Sequence, residues 1–474
     1  MRQLLRKLKC EDYLTLVAAS SVIRPGVARS GMMRGYIERH IHPEKRKEAH
    51  PVMMEIMPDT YGIMVYQEDV IKVAHHFAGL GLAESDVLRR GMSGKFRSRE
   101  EFQKVKDRFF ELCKERGHSD TLASEVWFQI ESFAGYSFAK GHSASYAVES
   151  YQSLYLKAYY PLEFYVGVIN NFGGFYRTEF YVHAARMCGG DVQAPCVNRS
   201  GYHTQLEGKT LYLGFVHVAS LEQKLVQRLV QDRHAHGIYR SLFDFKERVD
   251  PGLEQLKTLI RIGAFRFTGK NRKALMWEAH WLTQKKLAAA SRKGKKAKEE
   301  HIAEAGGDSV SGVLMALDVP PVQSVLFREA PKAFVLPALE YDGIEDAFEQ
   351  IELLGFPLCN PFDLVDRSKG RPQALHTAES IQRCIGRRVE IEGYLVTIKP
   401  TRTAQGQEMN FGTWIDRRGH YFDSLHFPEA VRKWPFKGRG VYLMQGLVSD
   451  DFGVISIAIE RMEKLAYVAD PRWD

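Results

Sequence analysis

The chain has 474 residues, 45% of them hydrophobic, and 66 lysines and arginines against 58 acids, a formal charge of +8. That composition supports several buried cores, excludes global disorder, and permits nucleic-acid binding without demanding it. Six cysteines (Cys10, Cys113, Cys188, Cys196, Cys359, Cys384) form no C-x-x-C pair, which excludes a zinc ribbon and a disulfide scaffold. The early apolar run Leu14 to Ile23 is cut by Arg24-Pro25 and is too short to span a bilayer, and Glu11-Asp12 spoils it as a secretory signal. The expectation is a cytoplasmic protein of a reducing compartment, with no membrane contact and about three domains at the usual ~100–200 residues each.

In chain order, residues 1–190 read as mostly helical. Val65 to Leu80 carries apolar residues at helical spacing, with Gly79 and Gly81 as a stop. Phe102, Val105, Phe109 and Leu112 make one stripe of a second helix. Tyr146 to Tyr160 reads as a third, ended by Pro161, whose ring cannot extend it. Residues 191–282 read as short helix pairs: Leu225, Leu229 and Val230 form one face, Leu256, Leu259 and Ile260 another, and Gly263 stops the latter. Residues 283–340 read as a linker, where Lys285 to Lys298 holds seven basic residues and no acid. A helical connector is expected over 341–375, and 376–474 switches to period-two alternation at Val389–Val396, Thr413–Ile415, Val441–Met444 and Val454–Ile457. Four or five evenly spaced strands predict a small closed barrel of the oligonucleotide-binding type. The fold class is therefore multidomain α+β: a helical amino-terminal part, a tandem hairpin domain and a carboxy-terminal barrel.

Two clusters carry chemistry. Leu88-Arg89-Arg90-Gly91-Met92-Ser93-Gly94-Lys95 sets three cations beside two glycines, a pattern suited to phosphate oxygens and equally to a solvated helix end. Phe133-Ala134-Gly135-Tyr136-Ser137-Phe138-Ala139-Lys140-Gly141-His142 joins aromatics to a lysine and a histidine, suited to bases and phosphates or to a packed helix junction.

Together with Tyr61-Gly62-Ile63-Met64-Val65-Tyr66-Gln67-Glu68, Arg24-Pro25-Gly26 and Tyr151-Gln152-Ser153-Leu154-Tyr155-Leu156-Lys157, these clusters closely resemble the fingers of the C family of DNA polymerases, the bacterial polymerase III alpha subunits and their error-prone paralogues. The resemblance runs through nearly the whole chain. It implies a pocket for the incoming nucleoside triphosphate lined by Arg89, Arg90 and Lys95, with Arg24, Lys140 and His142 as neighbours. It implies tandem helix-hairpin-helix units over 191–282, entered at Val197-Asn198-Arg199-Ser200 and left at Gly263 and Arg272, which grip duplex phosphates through turn N–H groups. The first turn departs from the family pattern, with Val218-Ala219-Ser220-Leu221 where Gly-x-Gly is usual. In the linker, Gln323-Ser324-Val325-Leu326-Phe327 fits the Gln-x-x-Leu-Phe peptide that inserts into the sliding clamp, with Gln323, Leu326 and Phe327 as the contacts. Arg402, Phe411, Trp414 and Tyr421 are the barrel candidates for single-stranded DNA.

The family holds its two catalytic metals on clustered palm carboxylates, and this sequence has no Asp-x-Asp at a strand end. No catalytic or metal-ligating residue is therefore assigned, Mg²⁺ is expected only in a complete polymerase site, and the chain alone is expected not to extend a primer. The implied partners are DNA, a deoxynucleoside triphosphate, the sliding clamp and a separate palm-bearing chain. The alternative is a noncatalytic, clamp-tethered DNA-binding accessory protein derived from such a polymerase. A DNA ligase is disfavoured because no Lys-x-Asp-Gly motif occurs.

Overall fold

A computed structural model describes residues 1–24, 27–28, 30–92, 99–132, 138–284, 342–368, 370, 374–403 and 405–473. Lys95, the Pro25-Gly26 turn and the clamp-motif residues Gln323, Leu326 and Phe327 lie outside the described residues.

The amino-terminal region is built from helices around one core. Apolar residues spaced three and four apart on Arg99–Glu115 bury Val105, Phe109 and Cys113 against Phe77, Trp127 and Ile130. The stretch from Val65 starts later than its periodicity predicts, as a helix Gln67–Lys72 whose first turn is tied by Asp69 accepting from the backbone N–H groups of Val65 and Tyr66. It loosens into a π-helical turn, Val73–Ala78, before Gly79. Lys140–Tyr159 is a 20-residue helix that packs on Tyr13–Val22 through Ser143 and Ala147. Pro161 does not leave a loop behind it. It occupies the first turn of the next helix, Pro161–Asn170, where its missing N–H has no intrahelical partner to lose.

That helix and Thr178–Met187 pack on a three-stranded sheet in which Thr210–Tyr212 lies between Asp191–Gln193 and Gln205–Glu207. A helical core follows, in which Leu225, Leu229, Leu256, Leu259, Ile260 and Phe265 are buried among Gln223–His236, Leu242–Val249, Leu253–Arg261 and a helix over 272–284. The helix Gly343–Leu354 closes this core through Leu353. Its acids fasten it: Glu349 lies 2.6 Å from Arg261 and 3.1 Å from Arg472, Asp346 lies 2.8 Å from Arg272, and Glu345 lies 2.9 Å from Lys273.

Five strands (Arg388–Arg402, Glu408–Ile415, Tyr421–His426, Val441–Asp451 and Val454–Lys464) form a closed barrel. The last strand pairs parallel with Tyr421–His426 and antiparallel with Val441–Asp451. Alternation along Glu408–Ile415 turns Asn410, Gly412 and Trp414 inward and leaves Phe411 and Thr413 outward. The short helix Arg2–Lys7 reaches the barrel, where Arg2 meets Asp423 at 2.6 Å and Lys7 pairs with Asp451.

Candidate nucleic-acid and nucleotide interface

The segments 61–68 and 138–146, far apart in sequence, are brought together by backbone pairing. Gln67 N–H donates to the Phe138 carbonyl at 3.0 Å, and Lys140 N–H donates to the Glu68 carboxylate at 2.9 Å. Around this join, Arg24 lies over the Phe138 ring at 4.0 Å, and the same ring meets His142 at 5.7 Å and stacks with Tyr146 at 6.1 Å. The Nε of Arg24 is buried without a hydrogen-bond partner. Lys140 Nζ lies 5.3 Å from the Tyr66 ring centre and pairs with Asp59 at 3.2 Å. Two of the predicted residues, Arg24 and His142, thus share the Phe138 ring, and Lys140 lies over Tyr66 at the same join.

Arg89 and Arg90 sit in the last turn of Leu82–Met92, a helix that packs on Gln67–Lys72. Asp86, one turn earlier, accepts from Arg89 Nε at 2.6 Å and lies 3.0 Å from Arg90 Nε. The Arg89 hydrogen bond holds the Asp86 carboxyl below the usual carboxylate range. One acid therefore bridges two guanidinium groups, an arrangement that fixes their direction and leaves one net positive charge. Neither Asp86 nor Asp59 was among the sequence candidates; for Asp86 the spacing to Arg89 and Arg90, one helical turn, was the available signal.

In the helical region, Gly263 takes φ +78 and closes the Leu253–Arg261 helix: its N–H donates to Ile260 and that of Ala264 to Leu259. These amides are used within the turn, so Gly263 serves the fold rather than offering a donor to phosphate. Arg272 is half-buried against Asp346 at 2.8 Å, which occupies the charge expected to meet DNA. The first turn is closed likewise. Ala219 N–H donates to the Leu353 carbonyl at 2.8 Å, and Glu222 N–H donates to Gln255 at 2.9 Å. Ser220 stands at φ +59, where glycine would be at ease.

The four barrel candidates separate. Trp414 is 0% exposed in the barrel core, its Nε1 donating to Ser424 at 2.7 Å, so its ring has no face for a base and it is withdrawn as a contact. Phe411 and Tyr421 are half-buried, pairing across the strands with Leu425 and Ile415 respectively. Arg402 is exposed at the far end of its strand. Tyr421 lies under the Arg2 guanidinium at 5.4 Å.

Among the described residues, no group of three or more His, Cys, Asp or Glu side chains could hold a metal ion, and no helix is long and apolar enough to cross a membrane.

Residues 1–117 match the bacterial DNA polymerase III alpha subunit finger domain, and residues 189–275 match the helix-hairpin-helix motif. The DNA polymerase III alpha subunits of Staphylococcus aureus strains MRSA252 and Mu50 are each 30% identical over 280 residues, covering 58% of this chain and 26% of the relative. The Staphylococcus epidermidis alpha subunit matches to the same extent. The chain thus spans about a quarter of the length of the curated relatives it matches. Over residues matching the finger domain and the helix-hairpin-helix motif, this chain is similar to the bacterial DNA polymerase III alpha subunit.

Proposed function

We propose that this chain supplies the fingers, the duplex-gripping helical region and the barrel of a DNA polymerase, binding DNA and an incoming deoxynucleoside triphosphate. The observation that carries the reading is the meeting of Arg24 and His142 at the Phe138 ring, with Lys140 over Tyr66 beside them, on segments joined to the Gln67–Lys72 helix against which the helix bearing Arg89 and Arg90 packs. Asp86 pairs with both arginines, Asp59 with Lys140, and Phe138 lies under Arg24. A triphosphate offers more charge and more acceptor oxygens than one carboxylate, so it displaces Asp86 and Asp59 and takes the forked donors of the arginines. Positioned cations of this kind neutralise the charge of a phosphoryl group in transfer. In a complete polymerase site Mg²⁺ would share that task. The metal-ligating acids are assigned to a palm-bearing polymerase portion, and Gln323, Leu326 and Phe327 to the sliding clamp. DNA contact by the helical region rests on its helix-hairpin-helix match and on the polymerase relatives.

Arg90→Ala is expected to weaken triphosphate binding about tenfold, the usual effect of losing one charged hydrogen-bond donor, with no change in melting temperature, since the side chain is 62% exposed. Isothermal titration of a deoxynucleoside triphosphate into both proteins tests this. Equal affinities would remove Arg90 from the site.

A further inference from the structure

Between the Arg2–Lys7 helix, the pair Pro161–Asn170 and Thr178–Met187, and the start of the Tyr421–His426 strand lies an open cleft of about 740 Å³. Its volume is in the range of small-ligand sites. Three half-buried tyrosines, Tyr176, Tyr181 and Tyr421, form its walls. Their rings are set in place: Tyr181 Oη accepts from Tyr176 N–H at 3.0 Å, and Tyr421 lies against His183 at 6.1 Å and under Arg2. At the mouth stand Arg6 and Lys157, both exposed, and neither is paired with a carboxylate among the described residues. Arg2 is already neutralised by Asp423, and the acid at the rim, Glu379, faces Arg418 at 3.8 Å.

We propose that this cleft binds one unpaired nucleotide, with its base among the tyrosines and its phosphate between Arg6 and Lys157. Aromatic walls alone would suit any flat apolar group. Two uncompensated cations at the mouth add the requirement for an anion, and a nucleotide unites the two. The inference rests on the reading of the chain as a binder of single-stranded DNA, but moves the contact away from Arg402. Arg402 pairs with Glu408 and Tyr421 with Ile415, seven residues further along the same strand, or about 23 Å at the usual ~3.3 Å rise. The site is therefore composite. The barrel gives Tyr421, the helix Thr178–Met187 and the bend before it give Tyr181 and Tyr176, and the helices Arg2–Lys7 and Lys140–Tyr159 give the cations.

The test is fluorescence anisotropy of a labelled oligo(dT) on the full chain at low salt. The Arg6→Ala/Lys157→Ala variant is expected to bind about tenfold more weakly, and Tyr176→Leu likewise, with Tyr176→Phe restoring affinity because stacking needs only the ring. Photocrosslinking with iodouracil-substituted oligonucleotide is expected to label the peptide carrying Tyr176 and Tyr181. Competition by free thymidine monophosphate assigns the site to mononucleotides, and failure of that competition assigns it to the strand; both keep the chemistry. Undiminished binding by Arg6→Ala/Lys157→Ala, with binding lost in Arg402→Ala/Phe411→Ala, would overturn the cleft and leave the barrel reading standing. No binding of oligo(dT) by the unmodified chain would overturn the barrel reading, and the cleft with it.

Discussion

Trp414→Ala is expected to destabilise the barrel by about 3–5 kcal/mol, the range for deleting a large aromatic from a closed core. The indole is fully buried among Phe422, Phe436 and Tyr442. Its removal opens a cavity and also takes a donor from Ser424, which lies 2.8 Å from His426 Nε2. Trp414→Phe keeps most of the volume and loses the donor alone, so a smaller loss of about 1–2 kcal/mol is expected. Hydrogen exchange of the barrel strands reads this directly, which matters in a chain with several cores. Unchanged protection together with lost single-strand binding would return Trp414 to the surface role the sequence assigned it.

Acid is expected to loosen the same barrel. His426 is 0% exposed, and burial with no compensating charge holds its imidazole down to about 4, against an ordinary value of 6.5. The unfolded chain therefore takes up the proton first as pH falls. The barrel keeps its full stability above pH 6.5 and loses it progressively down to about pH 4, by about 3 kcal/mol in all. His217, also lowered to about 4 by burial, acts in the same direction on the three-stranded-sheet region. The hydrogen-exchange protection of the barrel strands, measured from pH 7 to pH 4, is expected to fall more steeply in the unmodified chain than in His426→Leu. Parallel pH profiles would show that His426 does not carry the effect.

The sequence made some elements plain and concealed others for identifiable reasons. The start of the first barrel strand alternates, with Val389 and Ile391 turned to the interior, whereas onward to Val396 both faces are buried because Tyr394 and Val396 pack outside the barrel against Phe180 and Leu465. Tyr421–His426 does not alternate, because Asp423, Ser424 and His426 are buried polar residues: Asp423 accepts from Thr413 and Ser424 from Trp414 of the neighbouring strand, and His426 pairs with Ser424 on its own strand. Trp414 and Phe411 illustrate a limit of period two: alternation separates the faces but does not say which one turns inward. Gly263 was legible as a helix stop, and that is its role. The finger cations were legible as residue types, since Arg89-Arg90 and Lys140-Gly141-His142 are compact motifs. Their restraining acids were not, because Asp59 reaches Lys140 across 81 residues. The covering of Arg272 by Asp346 was concealed in the same way, by an acid that lies beyond the linker. The aromatic cleft is the extreme case, assembled from four parts of the chain that share no motif.

The central claim is that the finger cations hold a triphosphate. Calorimetric titration of the full chain with deoxyadenosine, its monophosphate and its triphosphate tests it most directly. The account predicts that the triphosphate binds at least about tenfold more tightly than the monophosphate, that the gap narrows with added salt, and that Arg24→Ala/Lys140→Ala abolishes it. Equal affinity for all three ligands, or a gap that survives in that variant, would contradict it.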